Sequence, residues 1–489
     1  MEAIHGLLDA AATASPEATA VRDSQSVLSY AQLDRLSRAA AWRLARHGVS
    51  RGDRVVADAV PDRRLPALMY ACSRIGAAFV PLNPALKADE RRHILADSEP
   101  ALVVTDGPAP GDTAPWPTQR LESVCAAPAA DSGDPPGTRI RTDDVALLMY
   151  TSGSTARPKA VVCPHGPVLF ATSSIASRLR YRAQDVVFNR LPLSFDYGLY
   201  QIFLAAYARA ELVLAGPHDD ARLLVAVRRT GATVVPVVPA LAAMLVKLGG
   251  RGGPRPAVRL FTNTGEELTT ADCAALRAAF PGAQVQLMFG TTECKRVSIM
   301  EPDGDLTRPG SVGSALPGTA IRIVGEDGRT LPPLAVGEIV VSGPHLMAGY
   351  WRCPQLTDRA FRVDPQSGER SMHTGDYGHL DTAGYLYFHG RRDDRFKSNG
   401  VRTGLLEIER AARQVPGVME AGAVPPPRSG RATLYVAGDV TADAVRRALR
   451  SLLEPAKVPG AVRVLDSLPR GVNGKIDRPA LRALAEERP

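Results

Sequence analysis

The apolar positions along this chain follow two alternating spacings. Between Leu28 and Gly48 they recur every three or four residues, with Leu33, Leu36, Ala40 and Leu44 on one face and Ser29 at the N-cap position, which predicts a helix. Arg54 to Ala59 and Ala101 to Thr105 are short β-rich runs separated by helical patterns, the signature of a mainly parallel α/β sheet. Val145 to Tyr150, Thr233 to Val238 and Val285 to Met288 read as further buried strands. His165 to Arg180 and the stretch ending at Leu248 read as helices. Gly107 to Thr138 is rich in Pro, Gly, Ala and Ser and predicts a surface excursion, and Gly249 to Pro256 a turn. Gly318 to Pro344 is strand-rich, with turns at Glu326-Asp-Gly and Leu334-Ala-Val-Gly, and predicts a small β subdomain. The texture changes after Arg392. Helices over Leu405 to Val415 and Ala442 to Leu453, with strands over Thr433 to Ala437 and Ala461 to Leu465, predict a compact α+β unit of about one hundred residues.

With 489 residues, the chain is too long for one core. Hydrophobic content of 45% and charged content of 22% place it among ordinary soluble proteins. The net charge of +8 is spread over pairs such as Arg63-Arg64 and Arg446-Arg447 with few aromatics nearby, so no nucleic-acid partner is expected. No run approaches a membrane span, and Met1-Glu-Ala-Ile-His5 does not resemble a signal peptide. Six scattered cysteines without C-x-x-C spacing suit reduced thiols in a cytoplasm.

The chemistry begins at Thr151-Ser-Gly-Ser-Thr-Ala-Arg-Pro-Lys-Ala160. Here four hydroxyls, a glycine and a lysine sit on a loop expected between a strand and a helix. Backbone N–H groups in such a turn point at anions, and the ammonium adds charge, so the segment suits a polyphosphate. It is not a G-x-x-x-x-G-K-[ST] loop, because Lys159 lies six after Gly153 and follows Pro158. In Phe289-Gly-Thr-Thr-Glu-Cys294, the glycine permits close approach and Glu293 is a hard oxygen ligand suited to Mg²⁺. Thr374-Gly-Asp-Tyr377 offers a turn carboxylate able to accept two ribose hydroxyls. Gly390 to Arg402 reads as a hinge at a domain junction. Leu468-Pro-Arg-Gly-Val-Asn-Gly-Lys-Ile-Asp-Arg478 sets Lys475 on a projecting turn before a helix.

These segments, in this order, closely resemble the adenylate-forming superfamily of acyl-CoA synthetases, nonribosomal peptide synthetase adenylation domains and luciferases. Leu28-Ser-Tyr-Ala-Gln-Leu33, Gly76-Ala-Ala-Phe-Val-Pro-Leu-Asn-Pro84, Gly337-Glu-Ile-Val-Val-Ser-Gly343 and Ala348-Gly-Tyr350 extend the likeness over nearly the whole chain. The resemblance implies an α/β fold. A large N-terminal domain (1–392) would hold two α/β sheet layers and a small β subdomain, and a small mobile α+β C-terminal domain (393–489) would carry the catalytic lysine. It implies ATP and Mg²⁺, with Thr151, Ser152, Gly153, Ser154, Thr155 and Lys159 around the β- and γ-phosphates. Glu293 would bind Mg²⁺, and Thr292, beside Thr291, a phosphate oxygen. Thr264, Gly265 and Glu266 would line the adenine together with Met288, Phe289 and Gly290. Asp376 would take the ribose hydroxyls with Arg391 beside it, and Asp393 would be the hinge. Lys475 would bridge the substrate carboxylate and the α-phosphate, and Gly400 would shape the thiol tunnel. Ala156, Ala160, Phe289 and Thr403 depart from the family pattern without removing a charged catalytic group.

For the acid, Leu193-Ser-Phe-Asp-Tyr-Gly-Leu-Tyr200 resembles the segment where amino-acid-activating members keep an aspartate for the ammonium. Asp196 falls there, and its alternative role is to cap the following helix. By position the pocket also holds Tyr197, Tyr200, Pro236, Thr262, Arg296 and Val297, which suits a compact amino or aromatic acid. Arg296 has two readings, one as partner to a second acidic group of the ligand and one as partner to Asp196. Because no carrier domain precedes Pro489, the acceptor is expected from outside, as a phosphopantetheine carrier protein or CoA, with the carrier preferred. Capture of the adenylate by an amine, or activation of another oxyanion such as nitrite (diazotase-like), is the alternative enzyme reading. A non-catalytic nucleotide-binding protein is disfavoured by the intact lysine and glutamate, and an oxidoreductase by the lack of a helix-opening G-x-G-x-x-G.

Overall fold

The computed structural model describes all residues except 108–114, 128–138, 152–156, 217–221, 250–255, 366, 399–400, 427–429, 472–474 and 487–489; of 393, 395, 397, 401, 402 and 486 it describes only the backbone. Ser152, Gly153, Ser154, Thr155, Gly400 and the side chain of Asp393 therefore lie outside the described residues. The fold is α/β. Two compact units emerge from the packing: Met1–Ile321 with Val341–Met372, and Arg322–Val340 with His373–Pro489.

In the first unit, Val186–Asn189, Val234–Val237, Leu260–Asn263 and Gln284–Phe289 lie side by side and parallel. Val234–Val237 and Leu260–Asn263 are buried along their whole length, as parallel strands covered on both faces must be. Past Gln284–Phe289 the pairing turns antiparallel through Ser298–Ile299 and Ser311–Ala315. A second sheet runs in the order Gly349–Tyr350, Lys159–Pro164, Val145–Thr151, Ala78–Pro81, Arg54–Asp58, Leu102–Thr105, Thr118–Arg120. The expected excursion after Gly107 thus contributes an edge strand, Thr118–Arg120, parallel to Leu102–Thr105. The helix predicted after Ser29 spans Tyr30–Arg46 and starts in a capping box: Gln32 N–H donates to Ser29 Oγ at 3.2 Å and Ser29 N–H to Gln32 Oε1 at 2.8 Å.

One local expectation is corrected. The segment after Thr151 does not lead from a strand into a helix. The next described element is the strand Lys159–Pro164, antiparallel to Val145–Thr151, with Thr151 paired to Lys159 and Tyr150 to Ala160. The run Ala160-Val161-Val162-Cys163 is apolar, with two β-branched valines and all but Val162 buried, but prolines on either side disguise it as loop. Helix His165–Leu179 follows that strand.

In the second unit, Arg370–Leu380 pairs antiparallel with Tyr385–Arg391. Farther on, a three-stranded sheet of Val418–Val424, Thr433–Gly438 and Ala461–Leu465 packs with helices Leu405–Arg413, Ala442–Leu452 and Arg478–Glu486. Ile408, Leu434, Val436, Val445 and Leu449 form its core. Glu409 is buried there. It accepts from Ala423 N–H at 2.7 Å and pairs with Arg478 at 2.8 Å, while Arg478 also donates to the Ala423 carbonyl. Burial pushes the Glu409 carboxyl up, and Arg478 opposes the shift. This pair ties the start of the last helix, three residues beyond Lys475, to the domain core.

Two predictions follow from these buried groups. Glu409→Ala should destabilise the C-terminal unit by about 3–5 kcal/mol, because it strands Arg478 without its partner. Hydrogen exchange across Arg478–Glu486 reads the loss, and paired replacement of both residues by apolar ones should recover much of it. In the first unit, burial lowers His165 and His345 to about 4. Ile4 N–H donates to His165 Nδ1 at 3.3 Å, so its proton sits on Nε2. Between pH 6.5 and about 4, the unfolded chain binds these protons and the folded chain does not, so stability must fall as the pH falls through that window. His165→Gln should make the acid slope of the unfolding free energy shallower by about 1.4 kcal/mol per pH unit.

Candidate active site

In the first unit the candidate residues gather where the parallel strands end. Asp196 follows Val186–Asn189, Thr264 to Glu266 follow Leu260–Asn263, and Gly290 to Arg296 follow Gln284–Phe289. The carboxyl ends of parallel strands are where open α/β sheets bind ligands. Pro236 and Thr262 sit in register on neighbouring strands.

The chain turns back sharply after Phe289. A Cβ at Gly290 would lie 1.7 Å from the Lys295 carbonyl oxygen, so only glycine fits. Lys295 adopts φ +56°, and Val297 N–H donates to the Phe289 carbonyl at 2.8 Å. Thr292 and Glu293 stay half-exposed on the bend, whereas Lys295, Arg296 and Val297 are buried. Tyr350 O–H donates to Glu293 Oε1 at 2.7 Å, and Lys159 Nζ lies 3.8 Å from the centre of the Tyr350 ring. Tyr350 thus joins the predicted phosphate lysine to the predicted metal ligand. Among the described residues, no three His, Cys, Asp or Glu converge on an ion. A single carboxylate still fits Mg²⁺, which keeps waters and takes substrate phosphates as ligands. Cys294 is buried, with Sγ 3.3 Å from the Thr291 hydroxyl, and is a packed thiol. Thr264 Oγ1 is buried without a hydrogen-bond partner among the described residues, beside Gly265 at φ +89°, and suits a polar ligand edge.

Of the residues expected to line the acid pocket, Asp196 is the first residue of helix Asp196–Ala208 and not its cap, which is Phe195. Arg296 Nη1 stands 3.1 Å from Asp196 Oδ2, with both side chains at most 4% exposed. The guanidinium lies 5.0 Å from the Tyr197 ring centre, and the Tyr197 hydroxyl is 2.7 Å from Thr262 Oγ1. A Cβ on Gly198 would strike the Pro192 carbonyl at 2.4 Å, so this glycine lets the helix seat against the preceding loop. Sequence reasoning missed Lys295. It is fully buried, donates to Cys163 Sγ at 3.4 Å and lies 5.5 Å from the Tyr200 ring centre. The Tyr200 hydroxyl and Ser194 Oγ are buried with no hydrogen-bond partner among the described residues. A lysine in a left-handed position of a tight turn was the available signal, but only the fold reveals that φ.

In the second unit, Asp376 is buried and register-paired with Arg391, whose Nε is 3.6 Å from Asp376 Oδ1. Thr374 Oγ1 receives the Asp376 N–H at 3.0 Å and donates to the Ile339 carbonyl at 2.7 Å, fixing the turn at Gly375, φ +71°. Lys475 is half-buried, and its carbonyl accepts from Gly471 N–H at 2.8 Å. Arg392–Asp394, which includes the expected hinge, forms a short 3₁₀ turn.

Comparison with known proteins agrees with this geometry. The AMP-binding enzyme family matches residues 8–351. A feruloyl-CoA synthase from an Amycolatopsis species is 32% identical over 475 residues, covering 94% of this chain and 95% of its own. The structure is similar to VinN in complex with L-aspartate, at 41% identity and a TM-score of 0.72 over 80% of this chain and 100% of that one. It is also similar to O-succinylbenzoate coenzyme A synthetase (MenE) of Bacillus subtilis bound to ATP and magnesium, at 27% identity and a TM-score of 0.84 over 97% and 99% of the two chains. The chain spans between 6% and 42% of the length of the larger synthetases among its curated relatives. Among the described residues no helix is long and apolar enough to cross a membrane. The chain belongs to the AMP-binding enzyme family.

Proposed function

We propose that this enzyme activates a small amino acid carrying a second carboxylate and passes the acyl group to a phosphopantetheine thiol, on a carrier protein or on CoA. One observation carries the reading: a carboxylate, Asp196, is paired with one cation, Arg296, next in the chain to a second, Lys295, and all three are nearly inaccessible to solvent. An amino monocarboxylic acid would add a third cation to that enclosed set once its own carboxylate is committed to the phosphate. A second carboxylate offsets the excess, and buried charge is tolerated only when paired. Asp196 then holds the substrate ammonium. Arg296 and Lys295 hold the second carboxylate, with the Tyr200 hydroxyl as a further donor. The likeness to VinN in complex with L-aspartate supports the same class.

In this reading the substrate carboxylate attacks the α-phosphorus of ATP, forming an O–P bond as pyrophosphate departs. A thiol then attacks the carbonyl and AMP leaves. Mg²⁺, when bound, neutralises phosphate charge, and Glu293 and Thr292 would hold it and a phosphate oxygen. Tyr350 orients Glu293 through its 2.7 Å hydrogen bond. Lys159 faces the β- and γ-phosphates. Thr264, Met288 and Phe289 receive the adenine, and Asp376 and Arg391 the ribose. Lys475 stabilises charge developing at the α-phosphate, and Asp393 and Gly400 serve the change between half-reactions. Charge placed in advance where the transition state needs it is the main source of catalysis here.

Pyrophosphate exchange tests the proposal. Amino dicarboxylic acids such as aspartate should return label, and hydroxybenzoic, cinnamic and simple aliphatic acids should not. Exchange with the aromatic acids alone would overturn the substrate class. Product analysis with a carrier, with CoA and with no thiol separates thiol transfer from capture by an amine. Asp196→Ala should lower kcat/KM for the amino diacid by roughly 10²-fold or more, as expected when a buried charged partner is lost. Lys475→Ala should cost roughly 10²–10³ in the exchange rate, the usual loss for one preorganised donor.

A further inference from the structure

The floor of the acid pocket is a layer of hydroxyls. Tyr197, 1% exposed, brings its hydroxyl to Thr262 Oγ1 at 2.7 Å. Tyr181 comes to the same layer from behind. Its hydroxyl donates to Gln201 Oε1 at 3.0 Å, and Gln201 Nε2 donates to the Tyr197 carbonyl at 3.0 Å. Burial raises both phenols, and each acts on the same neighbours: Tyr181 sits beside Thr262 and feels Arg296, and Tyr197 feels Tyr181. The hydroxyl of Tyr181 is therefore turned inward, toward the groups that hold the substrate.

The same residue also lines a surface cleft of about 270 Å³, with Ala176, Leu204, Tyr207 and Arg209 among the other walls. Helix Asp196–Ala208 runs from one space to the other. Asp196, Tyr197 and Tyr200 stand at its acid end, and Leu204 and Ala208 at its cleft end. At 1.5 Å per residue those ends are about 18 Å apart, with Tyr181 and Gln201 between them. Tyr181 lies just past the end of helix His165–Leu179, where its ring packs against the cleft and its hydroxyl meets Gln201.

We infer that Tyr181 is a specificity-determining positioning residue: it backs the Tyr197–Thr262 layer, separates the acid pocket from the cleft and sets the largest acid the enzyme accepts. The inference rests on the acid pocket assigned under the proposed function and adds the residue that limits its size. Without the phenol, Tyr197 loses its backing and the space behind it opens to the cleft.

The test compares kcat/KM for a propyl-branched and a methyl-branched amino dicarboxylic acid. Tyr181→Ala should raise the propyl-to-methyl ratio at least about tenfold, mainly through KM, since one methylene in an apolar pocket is worth roughly 10–200-fold. Tyr181→Phe keeps the wall and should keep the ratio. Adding Leu204→Trp to Tyr181→Ala refills the cleft and should bring the ratio back. An unchanged ratio in a Tyr181→Ala protein that melts like the parent overturns the inference, as does an equal shift in Tyr181→Phe. If Tyr181→Ala does not fold, Tyr181→Leu is read by the same ratio. Silence of the unaltered enzyme toward every acid would instead sink the substrate reading on which this one stands.

Discussion

The return of the chain from Phe289 to Val297 is the constraint that the rest of the first unit's chemistry depends on. Gly290 packs its bare Cα against the Lys295 carbonyl, and Lys295 takes a left-handed conformation that costs a lysine about 1–2 kcal/mol. That bend sends neighbouring residues to opposite duties. Glu293 meets Tyr350 on the side of Lys159, while Lys295 and Arg296 go inward to Cys163, Tyr200 and Asp196. A residue with a Cβ at position 290 would push the two sets apart together.

The inward set is costly in isolation. An enclosed ion pair recovers its desolvation only with good geometry and further hydrogen bonds, and here a second cation is added whose hydrogen-bond partner is a thiol. The hydroxyls of Tyr200, Ser194 and Thr264 are buried without a hydrogen-bond partner among the described residues. Such a surplus of buried donors is stable when the scaffold over-determines it, and it becomes favourable when an anionic, hydrogen-bonding ligand arrives. The hydrophobic sheet beneath supplies that rigidity, with the strands under Thr262 and Thr264 buried throughout.

Much of this was legible in the amino-acid order. The helix entry at Ser29, the helices Ala442–Leu452 and Arg478–Glu486 and the strand Ala461–Leu465 stand close to where spacing and turn residues put them. Asp196, Arg296, Tyr197 and Thr262 are joined in one chain of side-chain contacts. What escaped depended on tertiary pairing. The Lys159–Pro164 strand is hidden by its flanking prolines and shows itself only through its antiparallel pairing with Val145–Thr151. Lys295 reads as a surface lysine until the backbone turns it inward, and Tyr181 stands fifteen residues before Asp196, joined to that pocket through Gln201 and Thr262. Tyr350 was visible as part of a motif, but its bond to Glu293 crosses fifty-seven positions.

The central claim is that one buried carboxylate and two buried cations select a ligand with both an ammonium and a second carboxylate. Calorimetric titration of the unaltered enzyme with aspartate, β-alanine and succinate tests it most directly. Only the compound carrying both groups should bind tightly, with each truncated acid weaker by roughly tenfold or more, as expected when a buried polar partner is left unpaired. Equal affinity for all three, or tighter binding of succinate than of aspartate, would contradict the account.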